Sequence, residues 1–198
     1  MFMDYEMKKA IAELRRPEDI MCFLDGFIRY GCIDVDGVEH VNSLGGKDFR
    51  VKFRTLGLED SLQYRIGACI EQANITKYLL NQMDVKSRTF CTRGYNDAHP
   101  APDDLYLIHC YVLARFGDKV LNIEHSDSEK RGIYVYYSAE EAIRETHRIF
   151  SNKFILNGAV STTLDEYEDF IPGGLSFHEV NQYISRVTLQ SLKRTGTS

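Results

Sequence analysis

In Arg65-Ile66-Gly67-Ala68-Cys69-Ile70-Glu71-Gln72-Ala73-Asn74-Ile75-Thr76-Lys77-Tyr78-Leu79-Leu80-Asn81-Gln82-Met83, Cys69 opens a helix. Cys69, Ala73, Thr76, Leu80 and Met83 recur at helical spacing and share a face. The pattern is that of a buried central helix whose thiol sits at its N-terminal end. Downstream, Leu105-Tyr106-Leu107-Ile108-His109-Cys110-Tyr111-Val112-Leu113 is strand-like and carries His109. Lys119-Val120-Leu121-Asn122-Ile123-Glu124-His125 is a second strand-like run and carries Glu124. Gly117-Asp118 between them is a strong hairpin signal. A helix followed by paired antiparallel strands predicts an α+β fold.

Further elements fall on either side of this unit. Met7, Ile11 and Leu14 lie at helical spacing. Pro17 fits a first helical position, with Glu18 and Asp19 in the opening turn, and Gly31 is expected to end that helix. Residues 32–35 predict a short strand and Asp36-Gly37 a turn. Residues 49–53 alternate apolar and charged side chains, which predicts another strand. Strands are also expected over residues 85–92 and 132–137, and a loop over 94–104, which holds Pro100 and Pro102. Ser138 caps a helix running to about Phe150, with Glu141 three residues on. Residues 154–170 favour no single element. Pro172-Gly173-Gly174 is a break, and Ser176 with Glu179 caps a last helix. There is no repeat and no linker.

The chain has 198 residues, 43% of them hydrophobic, enough for a proper core in one domain. Net charge is -5 and the basic residues are scattered, so no nucleic-acid footprint is present. Acidic and basic residues interrupt the N-terminus at once, which excludes a signal-peptide pattern, and no apolar run reaches membrane-span length. Five cysteines, an odd number without regular spacing, read as reduced thiols of a cytoplasmic protein.

The order cysteine, histidine, acid is what a thiol nucleophile needs. A helix N-terminus favours thiolate at Cys69. An imidazole strengthens that effect and later protonates the leaving group. An acid beyond the imidazole fixes its tautomer. His109 lies eight residues before Gly117 and Glu124 six after Asp118, so the two are placed as cross-strand neighbours on one face. The Cys69 N–H is an expected oxyanion donor, and Gln63, six residues upstream, is the candidate for a second.

Gly67-x-Cys69-x-Glu71-Gln72, then His109 on one strand and an acid ending the next, resembles the transglutaminase-like superfamily over about residues 30–137. Arg29-Tyr30-Gly31 with Asp34 to Gly37 also looks like the lead-in of bacterial members. The resemblance implies a papain-like core, a cysteine-bearing helix on an antiparallel sheet, with extra helices at both ends. It implies Cys69 as nucleophile, His109 as base and Glu124 as orienting acid. Members act on peptide or glutamine amides through a thioester, as peptidases, deamidases or transamidating enzymes, and need no cofactor. The sequence departs from the family in having Glu124-His125 where Asp-Pro is more frequent, and Ile70 where an aromatic residue often follows the cysteine.

Each residue also has a structural reading. A cysteine alone is more often core than nucleophile; the Gly67-Ala68 lead-in and the matched His and acid favour chemistry. His109 would otherwise be a core histidine and Glu124 a strand-end charge, with Asp127 or Asn122 able to replace it. Cys110, adjacent to His109, points to the opposite face, and Cys91, Cys22 and Cys32 read as structural. Cys69, Cys91, His99, His109, Cys110 and His125 are metal-ligand types, but without a Cys-x-x-Cys or His-x-x-x-His pair no metal is expected. Gly45-Gly46-Lys47 lacks the Walker spacing. The rival function is a catalytically inactive binding or scaffold domain. A third reading, arylamine acetyl transfer, uses a similar Cys-His-acid order, for which the chain is short. The expected partner is a peptide or protein substrate, not nucleic acid or membrane.

Overall fold

The computed structural model describes residues 3–42, 49–98 and 105–195. It is an α+β fold. Helix α1 (Tyr5–Ala12) is capped by Asp4, whose carboxylate accepts the Met7 N–H at 2.9 Å. Helix α2 (Pro17–Phe27) starts on its proline, and Asp19 accepts the N–H groups of Arg15 and Arg16 at 2.9 and 2.8 Å. These bonds satisfy donors that no helical turn can reach. Strand β1 (Arg29–Ile33) follows at once, so Gly31 lies inside a strand rather than ending α2. Beyond a turn at Gly37 comes β2 (Glu39–Val41), antiparallel to β1.

The alternation over residues 49–53 does not make a strand. Phe49–Lys52 forms a single helical turn, α3, and only Phe53 bridges to Asp34. Five alternating residues fit either period at one end, and the buried Phe53 against the exposed Val51 is satisfied by a turn that drops one ring into the core. Helix α4 (Leu58–Tyr64) ends on Arg65 in the left-handed conformation. Strand β3 (Ile66–Gly67) then pairs in parallel with β1 and feeds α5 (Cys69–Gln82). Every residue of α5 from Cys69 to Thr76 is buried, so this helix is the centre of the molecule.

Strands β4 (Ser87–Tyr95), β5 (Leu105–Phe116), β6 (Lys119–Glu124), β7 (Gly132–Tyr136) and β8 (Ser161–Tyr167) form an antiparallel sheet in the order β7-β6-β5-β4-β8. Gly117, at φ +60, makes the β5–β6 turn. Helix α6 (Ala139–Leu156) lies between β7 and β8 in the chain, with Ser138 accepting the Glu141 N–H at 3.1 Å. It runs six residues beyond the expected end at Phe150, because Phe154 is a further buried anchor. Helix α7 (Phe177–Thr195) opens on the Ser176–Glu179 capping pair.

Alternation along the sheet splits the core in two. Cys91, Cys110, Val112 and Ala114 pack with α5, and Phe90, Tyr111 and Leu113 pack with Ala142 of α6. The sheet is therefore covered by a helix on each face. β4 runs into the segment expected to be loop, to Tyr95; residues 99–104 of that segment, with His99, and Gly45-Gly46-Lys47 lie outside the described residues. Among the described residues no helix is long and apolar enough to cross a membrane.

Candidate active site

Cys69 is the first residue of α5 and is 8% exposed. Two features of the sequence hold it there. Gly67 is needed because a Cβ at that position would stand 2.5 Å from Cβ of Glu71. Glu71 in turn accepts the Ala68 N–H at 3.0 Å and the Leu56 N–H at 3.1 Å, tying the helix start to the segment before α4. Burial raises the Glu71 carboxyl to about 7, against the pull of its backbone N–H partners. Gln72 donates to the Gly67 carbonyl at 3.0 Å and completes the clamp. The motif Gly67-x-Cys69-x-Glu71-Gln72 is thus a mechanical unit that fixes the cysteine's backbone.

The Cys69 thiol meets β5, donating to the Ile108 carbonyl at 3.6 Å, and the neighbouring His109 draws its pKa down against burial. His109 Nε2 meets Oε2 of Glu124 at 2.8 Å, which leaves Nδ1 as the ring nitrogen free for the thiol. Both residues are buried. The β5–β6 register pairs Leu113 with Asn122, and continuing it sets Tyr111 opposite Glu124. His109 is therefore a diagonal neighbour of Glu124 on one face, not a direct one. The extra methylene of glutamate over aspartate serves that longer reach. Glu124 Oε1 accepts the Ser126 hydroxyl at 3.0 Å and the Asp127 N–H at 2.9 Å, so its carboxylate is oriented before it meets the ring. Phe150 of α6 stacks on the His109 ring with centroids 3.7 Å apart.

Electrostatics follows from this closure. Burial pushes the Cys69 thiol above its ordinary value, and His109 pulls it only part of the way back. The thiolate-favouring shift expected from the helix end alone is thus opposed by desolvation. Burial also works against a charged His109, but the Glu124 carboxylate and the Cys69 sulfur outweigh it and lift the ring to about 10. Burial raises Glu124, and the His109 charge overcomes it and holds the carboxyl below its usual range. At neutral pH the resting state is a thiol facing an imidazolium. The nucleophilic form of such a pair is thiolate with imidazolium, one proton removed from this state.

The other candidates separate clearly. Asp127 pairs with Lys153 at 2.6 Å, and Asn122 Nδ2 lies 3.4 Å from the Thr146 hydroxyl, so neither faces His109 as Glu124 does. Gln63 is exposed on α4, and the left-handed turn at Arg65 follows it. Among the described residues no hydrogen bond links Gln63 to Cys69. Sequence reasoning gave no catalytic role to Tyr30, Phe150 or His125. His125 Nδ1 meets Gln72 Oε1 at 2.8 Å and Nε2 meets Asp25 at 3.0 Å, joining β6, α5 and α2. A cavity of about 660 Å3 opens at His109, walled among others by Tyr30, Ile108, Ser126, Asp127 and Phe150. Cys69 is not among its lining residues. No cluster of three or more His, Cys, Asp or Glu placed to hold a metal ion occurs among the described residues.

No family model matches the chain, and no curated protein matches it. Among solved structures it is similar to an arylamine N-acetyltransferase from Bacillus cereus, (BACCR)NAT3, described as having a unique Cys-His-Glu catalytic triad, with TM-score 0.37 and 13% identity over 62% of this chain and 49% of that one. The chain thus spans about half the length of that structure.

Proposed function

We propose that the chain is a cysteine-dependent amide hydrolase or acyltransferase with a papain-like, transglutaminase-like core over about residues 30–137, acting through a thioester on a peptide or glutamine amide. The observation that carries this reading is the buried His109–Glu124 bond of 2.8 Å on β5 and β6, beside the thiol at the start of α5. All five cysteines are free, which fits a reducing cytoplasm.

In this reading the Cys69 thiolate attacks the carbonyl carbon and the carbonyl π pair moves to oxygen. The Cys69 N–H, left without an intrahelical acceptor, hydrogen-bonds that oxygen. The tetrahedral intermediate collapses, the C–N bond breaks, and protonated His109 gives its proton to the departing amine. Neutral His109 then takes a proton from water or an incoming amine as that nucleophile attacks the thioester, and the thiolate leaves. Glu124 keeps the ring's Nδ1 turned to sulfur throughout.

One observation favours a silent binding domain instead: Cys69 is buried, and burial opposes its ionisation. Alkylation by iodoacetamide against pH, read at each cysteine by peptide mass spectrometry in wild type and His109→Ala, separates the two. The enzyme reading expects Cys69 to label and its apparent pKa to rise when the imidazolium is removed. A Cys69 that is inert, or indifferent to His109→Ala, leaves the reading without its base and favours the binding domain.

A further inference from the structure

The site as built has one backbone donor for the developing oxyanion, and the residue expected to supply a second, Gln63, lies exposed on α4. Tyr30 is a second candidate, brought near Cys69 by the pairing of β1 with β3. It sits on β1, in parallel register with Gly67, two residues before the nucleophile. Its side chain walls the 660 Å3 cavity together with Ile108 and His109. Among the described residues its hydroxyl makes no hydrogen bond, so this donor is not committed to an acceptor within the fold. Desolvation and the neighbouring Cys69, Asp127, Glu71 and Glu124 all raise the phenol, so it stays protonated and able to donate wherever the enzyme works.

We propose that Tyr30 is a catalytic residue whose hydroxyl, with the Cys69 N–H, forms the oxyanion hole for acyl transfer to Cys69. The proposal rests on the cysteine acyl-transfer reading above. As the sulfur–carbon bond forms and the π pair moves to oxygen, the Tyr30 O–H and the Cys69 N–H both hydrogen-bond the oxyanion. When the intermediate collapses, the carbonyl re-forms, the leaving group departs with the His109 proton, and Tyr30 keeps its own. Tyr30 acts on the carbonyl oxygen and not on sulfur, which distinguishes it from His109.

Two probes of one thiol separate these roles. Iodoacetamide alkylates sulfur by displacement and builds no oxyanion. p-Nitrophenyl acetate acylates sulfur through a tetrahedral oxyanion. Both are applied to the full chain, with the adduct at Cys69 quantified by peptide mass spectrometry, in wild type, Tyr30→Phe and His109→Ala. Loss of a hydroxyl that has no partner costs no internal hydrogen bond, so the Phe variant is expected to fold, and thermal unfolding checks it. Tyr30→His, which keeps a ring N–H donor, is the second variant; it is expected to retain more acetylation relative to alkylation than Phe.

The expected result is that Tyr30→Phe slows acetylation of Cys69 by about a hundredfold while alkylation holds near the wild-type rate. His109→Ala slows both. If Tyr30→Phe leaves acetylation unchanged, or slows both reactions alike, Tyr30 is not an oxyanion donor although the cysteine chemistry stands. If wild-type Cys69 is alkylated but never acetylated, the acyl-transfer reading itself falls and takes this role of Tyr30 with it.

Discussion

Glu124→Gln tests the electrostatic heart of the site without removing a side chain. The amide oxygen of the variant keeps its place as acceptor for Ser126 and Asp127, which in the wild type lie 3.0 and 2.9 Å from Oε1. Its NH2 group then faces His109 Nε2 across the 2.8 Å that the carboxylate spans in the wild type. A ring nitrogen accepts from that NH2 only when unprotonated, so the variant favours neutral His109 where the wild type favours the imidazolium. In the wild type the ring is raised from 6.5 to about 10. A group that binds its proton more tightly when folded adds stability that is complete below its unfolded pKa and is lost as pH rises through its folded one. His109 therefore stabilises fully below about pH 6.5, and the contribution fades towards pH 10. Glu124 runs the other way: its folded pKa is depressed, so its share is present above 4.5 and is lost as pH falls through the lowered value.

The span from 6.5 to about 10, at roughly 1.4 kcal/mol per pH unit, corresponds to about 5 kcal/mol. That agrees with the roughly 3–5 kcal/mol lost on removing one partner of a buried ion pair. Against a typical total of about 5–15 kcal/mol, the effect is large. Urea unfolding at intervals from pH 6.5 to 10 reads it directly. The wild-type midpoint should fall steeply over that window. The variant should start lower and stay nearly level, and the difference between the curves removes titrations the two proteins share. A wild-type midpoint that does not move between pH 6.5 and 10, or a variant that falls in parallel with it, would refute a charged His109 held by Glu124.

Further outcomes follow from the same geometry. Under native conditions exposed Cys22 should react with a thiol reagent at an ordinary rate, while buried Cys32, Cys91 and Cys110 should react only on unfolding; ready native labelling of any of these three contradicts the packing. Gly67→Ala forces a Cβ to 2.5 Å from Glu71 and should cost about 1–3 kcal/mol, a fall in Tm of at least about 3 °C by calorimetry. An unchanged Tm would mean that the clamp around Cys69 is slack. Arg93 is buried and reaches Asp165 at 2.6 Å and Ser185 at 2.8 Å, so it ties β4 and β8 to α7. Asp165→Ala should cost about 3–5 kcal/mol, and Arg93→Met with Asp165→Leu much less, because the single change leaves a buried charge alone. Equal losses in denaturant midpoint for the single and double variants would overturn that account.

The parts of this fold that were legible from the chain are those whose signals are local. The Pro17 helix start, the Ser138 and Ser176 caps and the Gly117 turn each depend on a few adjacent residues, and each appears where its chemistry puts it. Strand β8 was not legible, because Thr162, Thr163, Asp165 and Glu166 carry no apolar alternation. Asp165 is buried all the same, since Arg93 arrives from another strand to neutralise it. The site divides along the same line. Cys69, His109 and Glu124 advertise themselves by residue type and by order, and the hairpin brings the last two within hydrogen-bonding distance. Counting outward from Gly117-Asp118 sets these two as cross-strand neighbours on one face, and the register makes that contact diagonal. Tyr30 shows the limit more sharply. A tyrosine in a short strand has no distinguishing pattern. Its place follows from a parallel pairing with Gly67 across 37 residues of chain, and that pairing is fixed in turn by the turn at Arg65 and the clamp at Glu71. A residue that acts on the carbonyl oxygen rather than on the sulfur has no need to be near the cysteine in sequence. The second oxyanion donor is therefore the part of such a site that only the assembled fold can nominate.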